Sequence, residues 1–400
     1  MSERLAVAGG TPIRDKFLVF GTPTLGDEEI AEVVDTLRSG WIGMGPKVIR
    51  FEEQFHDYIG CRYAAAVSSC TAGLHLGLIV HDIGPGDEVI TSPLTFVATA
   101  NVVVHQGARP VFVDIHPHTL NIDPDRVEAA ITPRTRAIIP VHFGGLSCDM
   151  DAIMDIARRH NLAVIEDAAH AVGTRYHGRL VGSTPGSLAS FSFYANKNMT
   201  TAEGGMVTTD NQVLVDKLLV YRLHGMDRDA WQRYQVRQKD LCDFIAPGYK
   251  YNLTDLQASL GIHQLRKLEG FLSTRERLAA HFDAAFDQLP LVRRQFRPAP
   301  GPDRHALHLY LLILDMDRLT VTRNQVLMAL RAENIGATLH YGAVHLLGYY
   351  QRLGYRRGDC PVAESICDRI MSLPLVPTMT TADADDVIAA VRKVLNAYAR

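Results

Sequence analysis

The stretch RAIIPVHFGGLSCDMDAIMDIARRHNLAVIEDA (residues 136–168) sets the fold expected of this chain. Its two ends, RAIIPVH (136–142) and AVIEDA (163–168), are apolar runs of strand length. Between them, DMDAIMDIARRH (149–160) places apolar residues at helical spacing. A strand, a helix and a second strand in that order make a parallel pair joined by a crossover helix. The same rhythm runs through the preceding residues. YAAAV (63–67) is followed by TAGLHLGLIV (71–80), DEVITSP (87–93) by TFVATANVVVHQG (95–107), and RPVFVDI (109–115) by PDRVEAAI (124–131). A helix over EEIAEVVDTLRSG (28–40), with Gly40 as its stop, comes before them. Strands this apolar, alternating with helices, predict an α/β fold: a mostly parallel central sheet with helices on both faces. Ligands of such sheets bind beyond the carboxyl ends of the strands.

Past SFSFY (190–194) and GGMVTTD (204–210) the alternation loosens. Residues 226–250 are polar, charged and aromatic without clear periodicity, a pattern typical of a functional loop. A helix is expected from Thr254 to Phe286, then a strand at HLYLLILD (308–315), a helix at TRNQVLMALRAEN (322–334), a strand at ATLHY (337–341) and closing helices. With 400 residues, the chain exceeds one ordinary core. The expected division is a large domain over 1–253, then an interdomain helix and a small α+β domain over 254–400. A net charge of −3 gives no call for nucleic acid or an anionic membrane. The six cysteines form no CxxC pair, which fits a reducing cytoplasm, and MSERLAVAGGTPIR lacks the apolar run of a signal peptide.

No GxGxxG, GxxxxGK[ST] or HExxH occurs, and no metal site is expected. Two residues carry the chemical argument. Asp167 ends the apolar strand AVIEDA, and Lys197 follows the next strand, in FSFYANKNMTTAEGG (191–205). Pyridoxal phosphate chemistry needs such a pair: an amine to hold the cofactor and a carboxylate to keep its ring nitrogen protonated. Alone, the two would read as a surface lysine and a helix cap. SSCTAGLHL (68–76) adds a third element. Ser69, Cys70 and Thr71 stand where a strand becomes a helix, and the free N–H groups and dipole of a helix N-terminus attract a phosphate. By itself that segment reads equally well as a plain N-cap.

SSCTAGL, PLTFVATANVV, EDAAHAVGT, FSFYANKNMTTAEGG and GYKYNLTDLQASLG occur in that order. As a set they resemble the DegT family of sugar aminotransferases, a branch of the fold-type I pyridoxal phosphate enzymes. PGYKYNLTDL, GATLHYGAVH and SLPLVPTMTTADAD resemble the branch that makes UDP-4-amino-4-deoxy-L-arabinose. The resemblance implies roles position by position. Lys197 matches the cofactor-bearing lysine and Asp167 the partner of the ring nitrogen. Cys70, Thr71 and Ser192 match the phosphate contacts, and Phe96 the residue over the ring. His170 stands near the cofactor's 3′-oxygen, where many relatives have glutamine. Asn252 matches an asparagine that reaches the neighbouring subunit's phosphate, which implies a homodimer with shared sites.

The resemblance further implies an aminotransferase that moves an amino group from L-glutamate to C4 of a UDP- or TDP-linked keto sugar in a ping-pong cycle. Arg228, Arg233 and Lys250 are candidates for the sugar nucleotide's diphosphate, and His340 and Tyr341 for the sugar. His345 is a weaker candidate, and His142 a structural neighbour of the pocket. A C3-keto-sugar or aminocyclitol aminotransferase, or a non-catalytic cofactor-binding regulator, are the alternatives. A dehydratase is disfavoured because Lys197 is retained.

Overall fold

The computed structural model describes residues 4–227 and 243–400. Helices α1 (Asp27–Ser39) and α2 (Pro46–Ile59) precede an alternating series. It runs β1 (Tyr63–Val67), α3 (Cys70–Val80), β2 (Glu88–Thr91), α4 (Ala98–His105), β3 (Arg109–Phe112), α5 (Pro124–Ala129), β4 (Thr135–Ile139), α6 (Met150–His160) and β5 (Ala163–Asp167). A small hairpin of β6 (Arg175–Tyr176) and β7 (Arg179–Leu180) follows, then β8 (Leu188–Ser192), β9 (Gly205–Thr209) and α7 (Gln212–Tyr221).

Seven strands form one sheet in the order β1-β9-β8-β5-β4-β2-β3. The pairs from β8 to β3 are all parallel. β9 is antiparallel to both neighbours. The connection from β8, residues 193–204, contains no helix to carry the chain back across the sheet, so β9 starts at the edge where β8 ends. Two reversals restore direction, so β1 runs the same way as the parallel set. The carboxyl ends of β1, β8, β5, β4 and β2 therefore lie along one edge. The strands β2, β8 and β9 are buried throughout, which is why their sequences read as continuous apolar or small runs.

The long helix α8 (Asp255–Phe286) begins with a capping box between Thr254 and Gln257. Its first turn also caps another helix. The N-cap of α2 is Gly45, which has no side chain to offer. A Cβ there would come within 1.8 Å of Trp41 Nε1. Asp255 supplies the missing acceptor: its carboxylate takes the N–H groups of Gly45 (2.9 Å), Lys47 (3.1 Å) and Val48 (2.9 Å). Beneath this junction Phe51 and Phe55 of α2 pack on Phe191 and Phe193; the Phe55–Phe191 ring centroids are 5.2 Å apart.

A second, antiparallel sheet has the order β10 (Val292–Arg294), β11 (Tyr310–Leu314), β12 (Ile370–Leu373). Leu278, Phe282 and Phe286 of α8 share its core with Leu330 and Val391. The N-terminal segment joins this unit as well: Glu333 accepts from the N–H groups of Ala6 and Ile13, and Lys393 Nζ bonds it at 2.9 Å. The strand expected over 337–341 does not form. Ala337 N–H turns back to Ile335 O, and only Thr338 bridges to Ser372, so the chain leaves the edge of β12 after one pairing.

Asp255→Ala removes the acceptor for three backbone N–H groups and leaves them in a closed junction. A loss of about 2–4 kcal/mol is expected. Reversible urea unfolding read by circular dichroism measures it, and a loss within error would show that water replaces the carboxylate.

Candidate active site

The carboxyl edge of the large sheet opens on a cavity of about 470 Å³. Its walls come from the segments that follow the strand ends. After β1, Ser69 caps α3, its Oγ accepting from the N–H of Ala72 at 3.1 Å. The N–H groups of Cys70 and Thr71 occupy the first helical positions, where a helix has no acceptor of its own. β9 begins hard against this turn. A Cβ on Gly205 would lie 2.7 Å from Cys70 N and 2.6 Å from Phe191 O. Ser192, at the end of β8, lines the same end of the cavity as Cys70 and Thr71.

At the end of β5, Asp167 is 5% exposed. Its Oδ2 accepts from Thr99 Oγ1 at 2.7 Å and its Oδ1 from the Ala169 N–H at 3.1 Å. Thr95 and Thr99 bond each other at 2.7 Å, one turn apart. Cys70 Sγ lies 3.9 Å from Asp167 Oδ1 and 3.3 Å from Ser190 O, and burial holds its thiol well above the ordinary range.

Lys197 sits on the connection between β8 and β9. That connection is tied down at several points. Lys197 N–H donates to Tyr194 O (3.0 Å), Thr201 N–H to Phe193 O (2.9 Å), and Asn198 Nδ2 to Ala306 O (2.8 Å). Burial disfavours the charged amine and pulls the pKa of Lys197 down to about 8, against the opposing pull of Cys70 and Asp167. No salt bridge to Lys197 is present among the described residues.

His170 is also buried, and its pKa falls well below the ordinary value, first through desolvation and then through Lys197 and His340. Gly144 N–H donates to its Nδ1 at 3.2 Å. The neutral ring therefore carries its proton on Nε2, which donates to Tyr341 Oη at 3.3 Å. Tyr341 faces Phe96, with ring centroids 5.8 Å apart, and Phe96 is 57% exposed at the cavity mouth. His340 bonds Ser372 Oγ through Nδ1 at 2.9 Å, and burial lowers its pKa to about 4.

Of the residues singled out in the sequence, Cys70, Thr71, Phe96, Asp167, His170, Ser192, Lys197, His340 and Tyr341 all line this cavity. Lys250 is exposed and Asn252 is buried beside Val67; neither lines the cavity within this chain. The Asn252 Oδ1 is buried without a partner among the described residues. Arg228 and Arg233 lie outside the described residues. His345 is fully buried and bonded to Glu364 at 2.9 Å, so it does not reach the cavity. His142 donates its backbone N–H to Asp167 O and bonds Glu166 at 2.8 Å beneath the site. Sequence reading missed Thr99, Asn196 and Glu203 on the cavity wall, and His308 behind it. The signal that Thr99 could have offered is its place in the first turn of α4, four residues after Thr95, with which it shares a hydrogen bond.

The cavity is lined by a helix N-terminus with hydroxyl groups, by a buried carboxylate, and by a buried amine that has no salt bridge among the described residues. A phosphate, a pyridinium nitrogen and an aldehyde are the three groups this set accommodates. Pyridoxal phosphate carries all three.

The fold and the comparisons define the class: a fold-type I, pyridoxal-phosphate-dependent sugar aminotransferase. Residues 23–392 match the DegT/DnrJ/EryC1/StrS aminotransferase family, and the chain belongs to that family. It is 51% identical over 384 residues to the spore coat polysaccharide biosynthesis protein SpsC of Bacillus subtilis, covering 96% of this chain and 98% of SpsC. It superposes on the PLP form of Spr1654 from Streptococcus pneumoniae with a TM-score of 0.88 and 32% identity, over 95% of this chain and 99% of that one. Helicobacter pylori PseC, an aminotransferase of pseudoaminic acid biosynthesis, gives a TM-score of 0.88 at 28% identity, over 96% of this chain and 100% of that one. Among the described residues no helix is long and apolar enough to cross a membrane.

The lowered pKa has a direct readout. In cofactor-free protein, acylation of Lys197 by acetic anhydride should reach half its maximal rate near pH 8. It should rise through that pH because only the free amine reacts, whereas an exposed lysine needs about pH 10.4. Peptide mass mapping across pH checks this, and a midpoint near that of exposed lysines would mean that water floods the cavity.

Proposed function

We propose that this chain transfers an amino group from L-glutamate to C4 of a nucleotide-linked 4-keto sugar, with UDP or TDP as the nucleotide, in two half-reactions that share Lys197. The reading is supported by one observation above others: Lys197, Asp167 and the N-terminus of α3 open on a single cavity at the carboxyl edge of the sheet. When bound, pyridoxal phosphate supplies an aldehyde that captures an amine and a ring that draws electrons from the carbon bearing it.

In this reading the chain's residues divide the work. Lys197 Nζ holds the cofactor between turnovers and, once released, takes the proton from the donor's α-carbon. Asp167 keeps the ring nitrogen protonated, and Thr99 steadies that carboxylate through its hydroxyl. Cys70, Thr71 and Ser192 hold the phosphate, with Asn252 of a second copy completing the grip in a homodimer. His170 offers its Nε2–H to the 3′-oxygen, and Phe96 covers the ring. His340 and Tyr341 meet the sugar, while Arg228, Arg233 and Lys250 meet the diphosphate. The large cofactor domain ends at residue 253 and the small domain begins at 254. C4 is favoured by the resemblance of GATLHYGAVH and its neighbours to the arabinose-forming branch, which shares the histidine at position 170.

Borohydride treatment of the cofactor-loaded protein should place a pyridoxyl label on Lys197. Lys197→Ala should remove transamination entirely, and Asp167→Ala should lower kcat by about 10²–10³-fold, as for other groups that stabilise developing charge. Retained turnover in purified Lys197→Ala would sink the assignment. A panel of UDP- and TDP-linked 3- and 4-keto sugars, with products identified by mass and NMR, fixes the position aminated. Without a sugar, glutamate should yield one equivalent of 2-oxoglutarate per site. No 2-oxoglutarate from any preparation would favour the regulator instead.

A further inference from the structure

Lys197 has one hydrogen-bond neighbour for its Nζ among the described residues, and it is not an acid. His308 Nε2 lies 3.4 Å away. His308 is 5% exposed, and its other nitrogen, Nδ1, is buried without a partner among the described residues. Its ring sits 4.5 Å from that of His170.

The segment carrying His308 is fixed from three directions. Ala306 N–H donates to Gly145 O (2.9 Å) and Leu309 N–H to Gly144 O (3.1 Å). Asn198, next to Lys197, donates to Ala306 O (2.8 Å). Arg275, buried in α8, donates through Nη1 to Leu307 O (3.1 Å) and Leu375 O (2.6 Å). Leu307 itself holds a φ of +51°, a left-handed conformation unusual for leucine. So many restraints on the four residues Ala306–Leu309 give the imidazole little freedom to move.

We propose that His308 is a positioning residue for Lys197: its neutral imidazole donates from Nε2 to the free amine, fixes Nζ in place and selects its unprotonated form. The inference rests on the reading of Lys197 as the cofactor-bearing lysine. The charge on the amine dictates the tautomer of His308. An ammonium can only donate, so it would need a bare Nε2 and would push the imidazole proton onto Nδ1. That N–H would then be buried with no acceptor, a rare and costly arrangement. A free amine accepts from Nε2–H and leaves Nδ1 as a bare lone pair, which tolerates the lack of a partner better. Protonating Lys197 therefore forces its neighbour into the worse tautomer.

The surrounding charges work in the same direction. His308 faces Lys197, His170, Arg275 and His340, and burial with these neighbours holds it neutral. Facing Lys197 are Cys70 and Asp167, which favour its charge and are outweighed by burial. A carboxylate in place of His308 would stabilise the ammonium; a histidine without a charge does not.

The test uses full-length, cofactor-free protein. His308→Gln places at this point an amide whose oxygen can turn to accept from an ammonium. The pH of half-maximal Lys197 acylation should rise by about one unit, a tenfold change in the amine's proton affinity. An unchanged or lower midpoint overturns the proposal. Nitrogen-15 NMR of histidine-labelled wild-type protein, above the amine's midpoint, needs no substitution. It should show a bare Nδ1 and a protonated Nε2 on His308, and the reverse pattern also overturns the proposal. The borohydride label on wild-type Lys197 is independent of both measurements. Its absence would remove the cofactor reading and leave the tautomer result standing.

Discussion

Three segments of backbone converge on Gly205. In the sheet, Gly205 pairs with Val67 on one side and Ser192 on the other. One strand end leads into the helix that caps itself with Ser69, and the other into the connection bearing Lys197. A side chain at Gly205 would collide with Cys70 N and Phe191 O. Because nothing projects there, the start of α3, the hydroxyl of Ser192 and the lysine loop all stand within one ligand's length of each other. The antiparallel insertion of β9 between two co-directional strands is what allows this. Because β9 starts opposite the end of β8, the connection between them stays at the carboxyl edge of the sheet, and that connection holds Lys197.

Electrostatics then decides what the cavity can do. The site gathers Lys197, His170, His308 and His340 around the buried carboxylate of Asp167. If all four bases were charged, the desolvation cost would be prohibitive. Burial resolves it by holding the three histidines neutral and lowering the amine's proton affinity. The histidines therefore serve as oriented dipoles. A backbone N–H from Gly144 selects the tautomer of His170, and the lack of a partner at Nδ1 among the described residues selects that of His308. Both rings then carry their proton on Nε2, His170 toward Tyr341 and His308 toward Lys197.

Much of this was legible in the sequence, and the reasons differ by element. The alternation from Tyr63 to Asp167 could be read because the middles of its strands are buried and carry apolar residues, such as Ala65–Val67 of β1 and Val164–Ile165 of β5. Helix stops such as Gly40, with a φ of 73°, announce themselves chemically. Lys197 and Asp167 stood out through their places at strand ends, and the family resemblance added Phe96, His170 and Ser192. What escaped was whatever depends on distant contacts. β12, at Ile370–Leu373, is placed by its pairing with β11, nearly sixty positions earlier in the chain. The predicted strand over 337–341 had strand-like residues but no second strand edge to continue along. His308 lies 111 positions from Lys197, and nothing in HALHLYLLIL says which histidine meets the amine. Only the anchoring of that segment on Gly144, Gly145 and Asn198 decides it.

That same anchoring explains how the two sheets act as one site. His340 and Tyr341 leave the edge of β12, in the C-terminal unit, yet their rings form the mouth of a cavity whose floor belongs to the large sheet. A loose joint between the units would let the mouth drift relative to Lys197, and misplacement by about 1 Å can cost about a hundredfold in rate. The segment from Ala306 to Leu309 removes that freedom, because it hydrogen-bonds the large unit at Gly144, Gly145 and Asn198 and continues directly into β11. Arg275 fastens it to α8, the helix that packs against α2 at one end and the C-terminal core at the other. The strained φ of Leu307 is tolerated because the bonds on either side of it fix the chain in that conformation. Placing the amine of Lys197, the buried histidines and the mouth of the cavity on one clamped frame makes their mutual distances a property of the fold.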